Sequence, residues 1–168
     1  MVGVGYALSL PSGSASWRHA AVLHATATLR RPVEAELAVE LAPSDSQSGP
    51  TGSLSVVDVP LRMGVRLVRR GPSAVLGLGG FAGAHLLFAH ALAAAPDTAT
   101  DRTWAVTGAG GVEFMARAGQ ARGLVPELRV WVEAKAPRTR FLVRGADTRF
   151  EAGSVGAGIS LGLTFARQ

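Results

Sequence analysis

Val155-Gly-Ala-Gly-Ile-Ser-Leu-Gly-Leu-Thr-Phe165 is the stretch that decides the fold. Val155, Ala157, Ile159, Leu161, Leu163 and Phe165 fall on one face at a period of two, with Gly156, Gly158, Ser160, Gly162 and Thr164 on the other. A half-buried strand in water usually turns Lys, Glu, Thr or Gln outward. Here the second face is glycine and small hydroxyls, which suits a crowded lumen on one side and lipid on the other. The expectation is one strand of an all-β, antiparallel up-and-down transmembrane β-barrel.

The alternation recurs along the chain. Val2, Val4, Tyr6, Leu8 and Leu10 oppose Gly3, Gly5, Ala7 and Ser9, and Ala21, Leu23, Ala25, Ala27 and Leu29 form a weaker second set. Val33, Ala35, Leu37, Val39 and Leu41 oppose Glu34, Glu36 and Glu40, while Val57, Val59, Leu61, Met63, Val65 and Leu67 oppose Asp58, Arg62 and Arg66. Trp104, Val106, Val112 and Phe114 then oppose Thr107, Glu113 and Arg117. Leu124, Leu128, Val130 and Val132 oppose Glu127, Arg129, Trp131, Glu133 and Lys135.

The segment from Ala74 to Ala95 holds no formal charge and on length alone qualifies as a membrane helix. Gly77, Gly79, Gly80 and Gly83 weaken a helix, and Leu76, Leu78, Ala82, Ala84, Leu86 and Phe88 keep one parity, so a strand is expected. A helix is the competing form over residues 82–95. Counting this segment, the chain offers about eight strands, a common small size for such barrels.

The connections alternate long and short. Pro11 to Trp17, Pro43 to Leu54, Ala94 to Arg102 and Pro137 to Gly153 are long; Arg30-Arg31-Pro32, Arg70-Gly71-Pro72 and Ala118 to Gly123 are short. Outer-membrane barrels have tight periplasmic turns and freer outer loops, so both termini are expected on the periplasmic side.

With 168 residues, 48% hydrophobic and 17% charged, the chain is read as a single β-barrel domain and not as a disordered segment. It has no cysteine, so neither a disulfide framework nor a thiolate metal site is available. The net charge of +5 is carried almost wholly by arginine, Lys135 being the only lysine. These arginines are scattered over loops, turns and lumen positions, which argues against a nucleic-acid partner. Met1 to Leu10 lacks the charged and apolar regions of a secretory signal, so a signal is expected upstream of this sequence.

On the polar parity lie Glu34, Glu36, Glu40, Asp58, Arg62, Arg66, Glu113, Arg117, Glu127, Arg129, Glu133 and Lys135. In a narrow lumen unpaired charges cost several kcal/mol, so these side chains are expected to pair across strands and plug the barrel. A conducting pore is the alternative. Catalytic signals are thin: His19, His24, His85 and His90 accompany no HExxH motif, and no serine or carboxylate stands near His85 or His90 to complete a nucleophile and base. A non-enzymatic protein without cofactor or metal is expected, with a small lipid-modifying enzyme as a lesser alternative. Gly77-Leu-Gly79-Gly80 and Gly108-Ala-Gly110-Gly111 lack the helix and acidic ribose ligand of a dinucleotide site; in a barrel they relieve crowding.

The last long loop is the functional candidate. Arg138, Arg140, Phe141, Arg144, Arg149 and Phe150 can meet anionic lipid, with arginine forks on phosphate and phenylalanines as interfacial anchors. A hairpin turning near Gly145-Ala146-Asp147 is expected there.

Trp104 opening a strand, Pro137 with Arg140-Phe-Leu-Val-Arg-Gly145 in the last loop, and Gly153 to Phe165 closing the chain together resemble the small outer-membrane β-barrel proteins of Gram-negative bacteria. The likeness is to the OmpA-like eight-stranded type and is greatest for uncharacterised, arginine-rich myxobacterial members. It implies outer-membrane localisation, a structural or surface-interaction role through the outer loops, and contact with outer-membrane lipid and lipopolysaccharide. Phe165 resembles the terminal aromatic read by the outer-membrane insertion machinery, although Ala166, Arg167 and Gln168 follow it. No catalytic residue is implied. The rival is a soluble β-barrel or sandwich that turns the bulky parity inward around an apolar ligand.

Overall fold

The computed structural model describes residues 1–11, 18–49, 52–93, 101–118, 123–142, 149–151 and 154–166. The strands are β1 Val2–Pro11, β2 Arg18–Arg30, β3 Val33–Leu41, β4 Asp45–Gly49, β5 Gly52–Arg70, β6 Ala74–Ala93, β7 Asp101–Ala118, β8 Gly123–Ala136, β9 Arg140–Leu142, β10 Arg149–Glu151 and β11 Val155–Ala166. Neighbours run in the order β3, β2, β1, β11, β8, β7, β6, β5, and a pairing of β3 with β5 closes the ring. The result is an antiparallel barrel of eight wall strands, a closure that removes the free sheet edges.

Register places Val2 opposite Phe165 and Ala166 opposite Gly123, so both ends of the described chain lie at one rim. The turns after β2 and β5 share that rim, where the Val68 amide donates to the Pro32 carbonyl (2.8 Å) and the Gly71 amide to the Ala74 carbonyl (2.8 Å). This is the turn end; the longer connections lie at the opposite, loop end.

Parity assigns the faces. Leu78 is 65% exposed, Leu124 67% and Leu161 65%, whereas Glu34 is 0% exposed within the lumen. Bulky apolar side chains cover the outside of the wall strands and charges occupy the inside, the reverse of the soluble rival's arrangement. Where a helix competed over residues 82–95, β6 continues as strand to Ala93, and residues 94 and 95 lie outside the described residues. No helix among the described residues is long and apolar enough to cross a membrane, which says nothing against strands.

Pro43 to Leu54, expected as an open loop, is largely structured. β4 pairs with the first residues of β5, Asp45 opposite Val56 and Gly49 opposite Gly52, so β5 reaches 19 residues and β6 reaches 20. A strand crosses a bilayer core in about 9–11 residues. These hairpins therefore extend well past such a span at the loop end.

The polarity inverts along that extension. Beyond the outward pair Phe88 and Trp104, which face each other across β6 and β7, the outward positions become Ser55 and His90. Inside, Leu54, Val56, Leu87 and Ala89 form an apolar cluster. A second cluster, Val68, Val75 and Met115, sits at the turn end. The charged middle of the lumen is thus flanked by an apolar cluster on β5 and β6 toward each end.

Candidate functional site

Every one of the twelve expected lumen residues points inward. Register explains how they meet. Arg66 stands opposite Glu34 on β3 and opposite Gly79 on β6, and Gly79 in turn faces Glu113 on β7. A Cβ at Gly79 would lie 2.5 Å from the Arg66 Cβ, so only glycine lets the guanidinium cross that strand. Arg66 reaches Glu36 at 2.6 Å, Glu113 at 3.1 Å and Glu34 at 3.5 Å, and donates to the Thr26 hydroxyl at 3.2 Å.

Arg117 and Glu127 face each other directly across β7 and β8, with Nε to Oε2 at 2.9 Å. Arg129 pairs with Glu127 and Glu36. The remaining Glu127 contacts are the Thr164 hydroxyl, 3.1 Å from Oε2, and His24 Nε2, 3.4 Å from Oε1. Arg70 at the turn rim reaches Glu34 at 3.2 Å.

One layer toward the loop end, Arg62 pairs with Glu40, and its guanidinium carbon lies 4.4 Å from the Trp131 ring centre and 5.3 Å from that of Phe81. Such stacking adds a cation–π attraction to the ion pair. Trp131 finds room because its neighbour on β11 is Gly158. A space of about 20 Å³ remains among Glu36, Arg62, Arg66, Phe81 and Glu113, room for a water molecule or so.

A third group lies above. Asp58 accepts from Arg18 Nη1 (2.8 Å) and contacts His85 Nδ1 (2.9 Å); the other ring nitrogen of His85 is 3.4 Å from Glu133, which Lys135 reaches at 3.1 Å. Sequence reasoning missed Arg18, Arg70, His24 and His85. The first two sit where a strand meets a loop or turn, so parity alone did not count them. With them, seven basic side chains meet seven carboxylates in the ion pairs of the lumen. The imbalance of the twelve expected residues, seven acids against five bases, was the available signal.

At the loop-end mouth β9 pairs with β10, Phe141 opposite Phe150. Phe141 departs from expectation. It is only 8% exposed and packs on Leu54, Val56, Leu87 and Ala89, because an aromatic ring gains more from the apolar mouth than from water. Arg138 and Arg140 are exposed, and Arg138 donates to the Ser154 hydroxyl (3.4 Å). Arg149 and Phe150 lie on β10, and Arg144 lies outside the described residues. Tyr6 and His19 hydrogen-bond on the outer wall, and His90 lies on the β6 extension. Among the described residues no group of three His, Asp or Glu side chains is arranged to hold a metal ion.

No family model matches this chain, and no curated protein matches it. Solved structures do. Ail, the attachment invasion locus protein of Yersinia pestis, aligns with a TM-score of 0.57 at 10% identity, covering 96% of this chain and 93% of Ail. Ail in complex with the heparin analogue sucrose octasulfate gives 0.57 at 11% identity, over 96% and 94% of the two chains. Neisserial surface protein A gives 0.49 at 8% identity, over 96% and 92%. At 10–11% identity the Ail likeness speaks for the fold alone: this chain has the closed eight-stranded antiparallel barrel fold that it shares with Ail.

Proposed function

We propose that the chain is an outer-membrane β-barrel with a closed lumen that works through its loop end as a surface-interaction protein. The observation that carries this reading is the inside-out polarity: large apolar side chains outside all eight wall strands and a charge-balanced lumen inside. In water such an exterior would be a large exposed apolar surface; in lipid it is the stable arrangement. Phe88 and Trp104, the latter 70% exposed, lie where an upper aromatic girdle belongs, and Phe114 and Phe165 where a lower one belongs.

The ion pairs across the lumen and the apolar clusters toward its two ends favour a plug over a channel. The partner that fits the mouth is the phosphorylated sugar surface of lipopolysaccharide, met by the exposed Arg138 and Arg140 and, from the same stretch of sequence, by Arg144, Arg149 and Phe150. Phe141 is better placed as the mouth's closure. The sucrose octasulfate held by Ail is a polyanionic sugar and so a precedent for this ligand chemistry on the same fold. Replacing Arg138 and Arg140 with glutamine is expected to weaken binding of the vesicle-inserted protein to lipopolysaccharide by about fivefold or more, an effect screened by salt. Unchanged binding at low salt would remove lipopolysaccharide as the partner.

A further inference from the structure

The turn end carries a charge pattern that the loop-end reading does not use. Arg30 and Arg31 end the β2–β3 hairpin, Arg69 and Arg70 end β5, and the pairing of Val33 with Leu67 makes the two turns neighbours. All four are exposed. Arg70 is tied to Glu34, but Arg30, Arg31 and Arg69 have no carboxylate partner among the described residues. Seven of the chain's twelve acidic residues are the lumen carboxylates, and among the other described ones Asp45, Asp101 and Glu151 lie on strands at the loop end.

Beside this cluster an open groove of about 450 Å³ lies on the outer wall, lined by Pro32, Leu67, Leu76, Leu78 and Phe114 with Arg69 at its edge. Leu67, Leu78 and Phe114 stand in one row across β5, β6 and β7, so the groove is apolar and continuous with the exterior band.

We propose that this groove and its arginine rim form a site for an anionic phospholipid of the leaflet at the turn end. One acyl chain would lie along Leu67, Leu78 and Phe114, and its phosphate would meet Arg30, Arg31 and Arg69. Guanidinium groups suit phosphate oxygens geometrically, and basic residues at a membrane surface favour anionic headgroups. The proposal rests on the membrane reading above.

The test places Leu78→Trp in the groove and inserts the protein into vesicles of phosphatidylcholine containing either brominated phosphatidylcholine or brominated phosphatidylglycerol; fluorescence of the parent protein is subtracted. Quenching by the brominated anionic lipid is expected to exceed that by the neutral one about threefold or more. The preference should vanish in R30Q/R31Q/R69Q and persist in R102Q, which alters an exposed arginine of the opposite end. Equal quenching by both lipids, or a preference that survives the triple substitution, overturns the site while a heat-dependent gel shift of the same samples still supports a membrane barrel. Absence of that shift in either vesicle defeats the membrane reading, and the lipid site with it.

Discussion

Arg62 shows why single residues matter in this lumen. Its guanidinium is stacked between Trp131 and Phe81 and paired with Glu40, all within the barrel. Arg62→Ala leaves a buried carboxylate without its cation and is expected to destabilise the folded barrel by about 3–5 kcal/mol in urea titration from vesicles. The paired change R62M/E40Q removes both charges and should cost much less; an equal cost would assign the effect to packing alone. Gly158→Val drives a side chain into the Trp131 ring, which already stands 2.6 Å (Cε2) from a Cβ placed there, and should destabilise the barrel by about 1–3 kcal/mol. At this scale the sequence was informative because parity sorts inside from outside one residue at a time. It failed at Arg18 and Arg70, where the strand pattern meets a loop or turn, and at His24 and His85, whose ionic neighbours come from distant strands.

Among the elements, β8 states the two-faced wall clearly. Val130 and Val132 point out, while Arg129, Trp131 and Glu133 are buried. Val130→Arg puts a cation on the apolar face and is expected to cost about 2–4 kcal/mol if it lies near the bilayer midplane, reducing the assembled fraction in an outer-membrane fractionation; undiminished assembly would count against the assigned face. The β5–β6 extension obeys the opposite rule, apolar inside and more polar outside, as a structure standing in water should. Phe141→Asp would place a charge among Leu54, Val56 and Leu87, and faster hydrogen exchange at Leu54 and Val56 is the expected result. Part of this element was hidden in the sequence because Pro43 to Leu54 is rich in Ser, Gly and Asp, the composition of a loop, and its pairing is with backbone and not through a strong apolar stripe.

For the whole molecule the consequence is a separation of charge. Among the described residues seven cations meet seven carboxylates in ion pairs of the lumen and its rim, so the formal net charge of +5 is carried by residues other than these. The ion pairs of the lumen are therefore balanced, and exposed arginines such as Arg30, Arg31, Arg69 and Arg102 stand at the ends of the strands. The eight-strand closure and the long–short alternation of connections were legible from hydrophobic periodicity and turn residues; the identity of a partner was not, because loop chemistry follows no period. A plugged lumen predicts no steady conductance in planar bilayers for the intact protein, whereas stable openings would contradict the plug. The proposed role depends on the bulky face looking into lipid. Expressed behind a secretory signal, the protein should fractionate with outer membranes and migrate at a different position on a gel when unboiled than when boiled; a soluble protein with one mobility under both conditions would contradict the account.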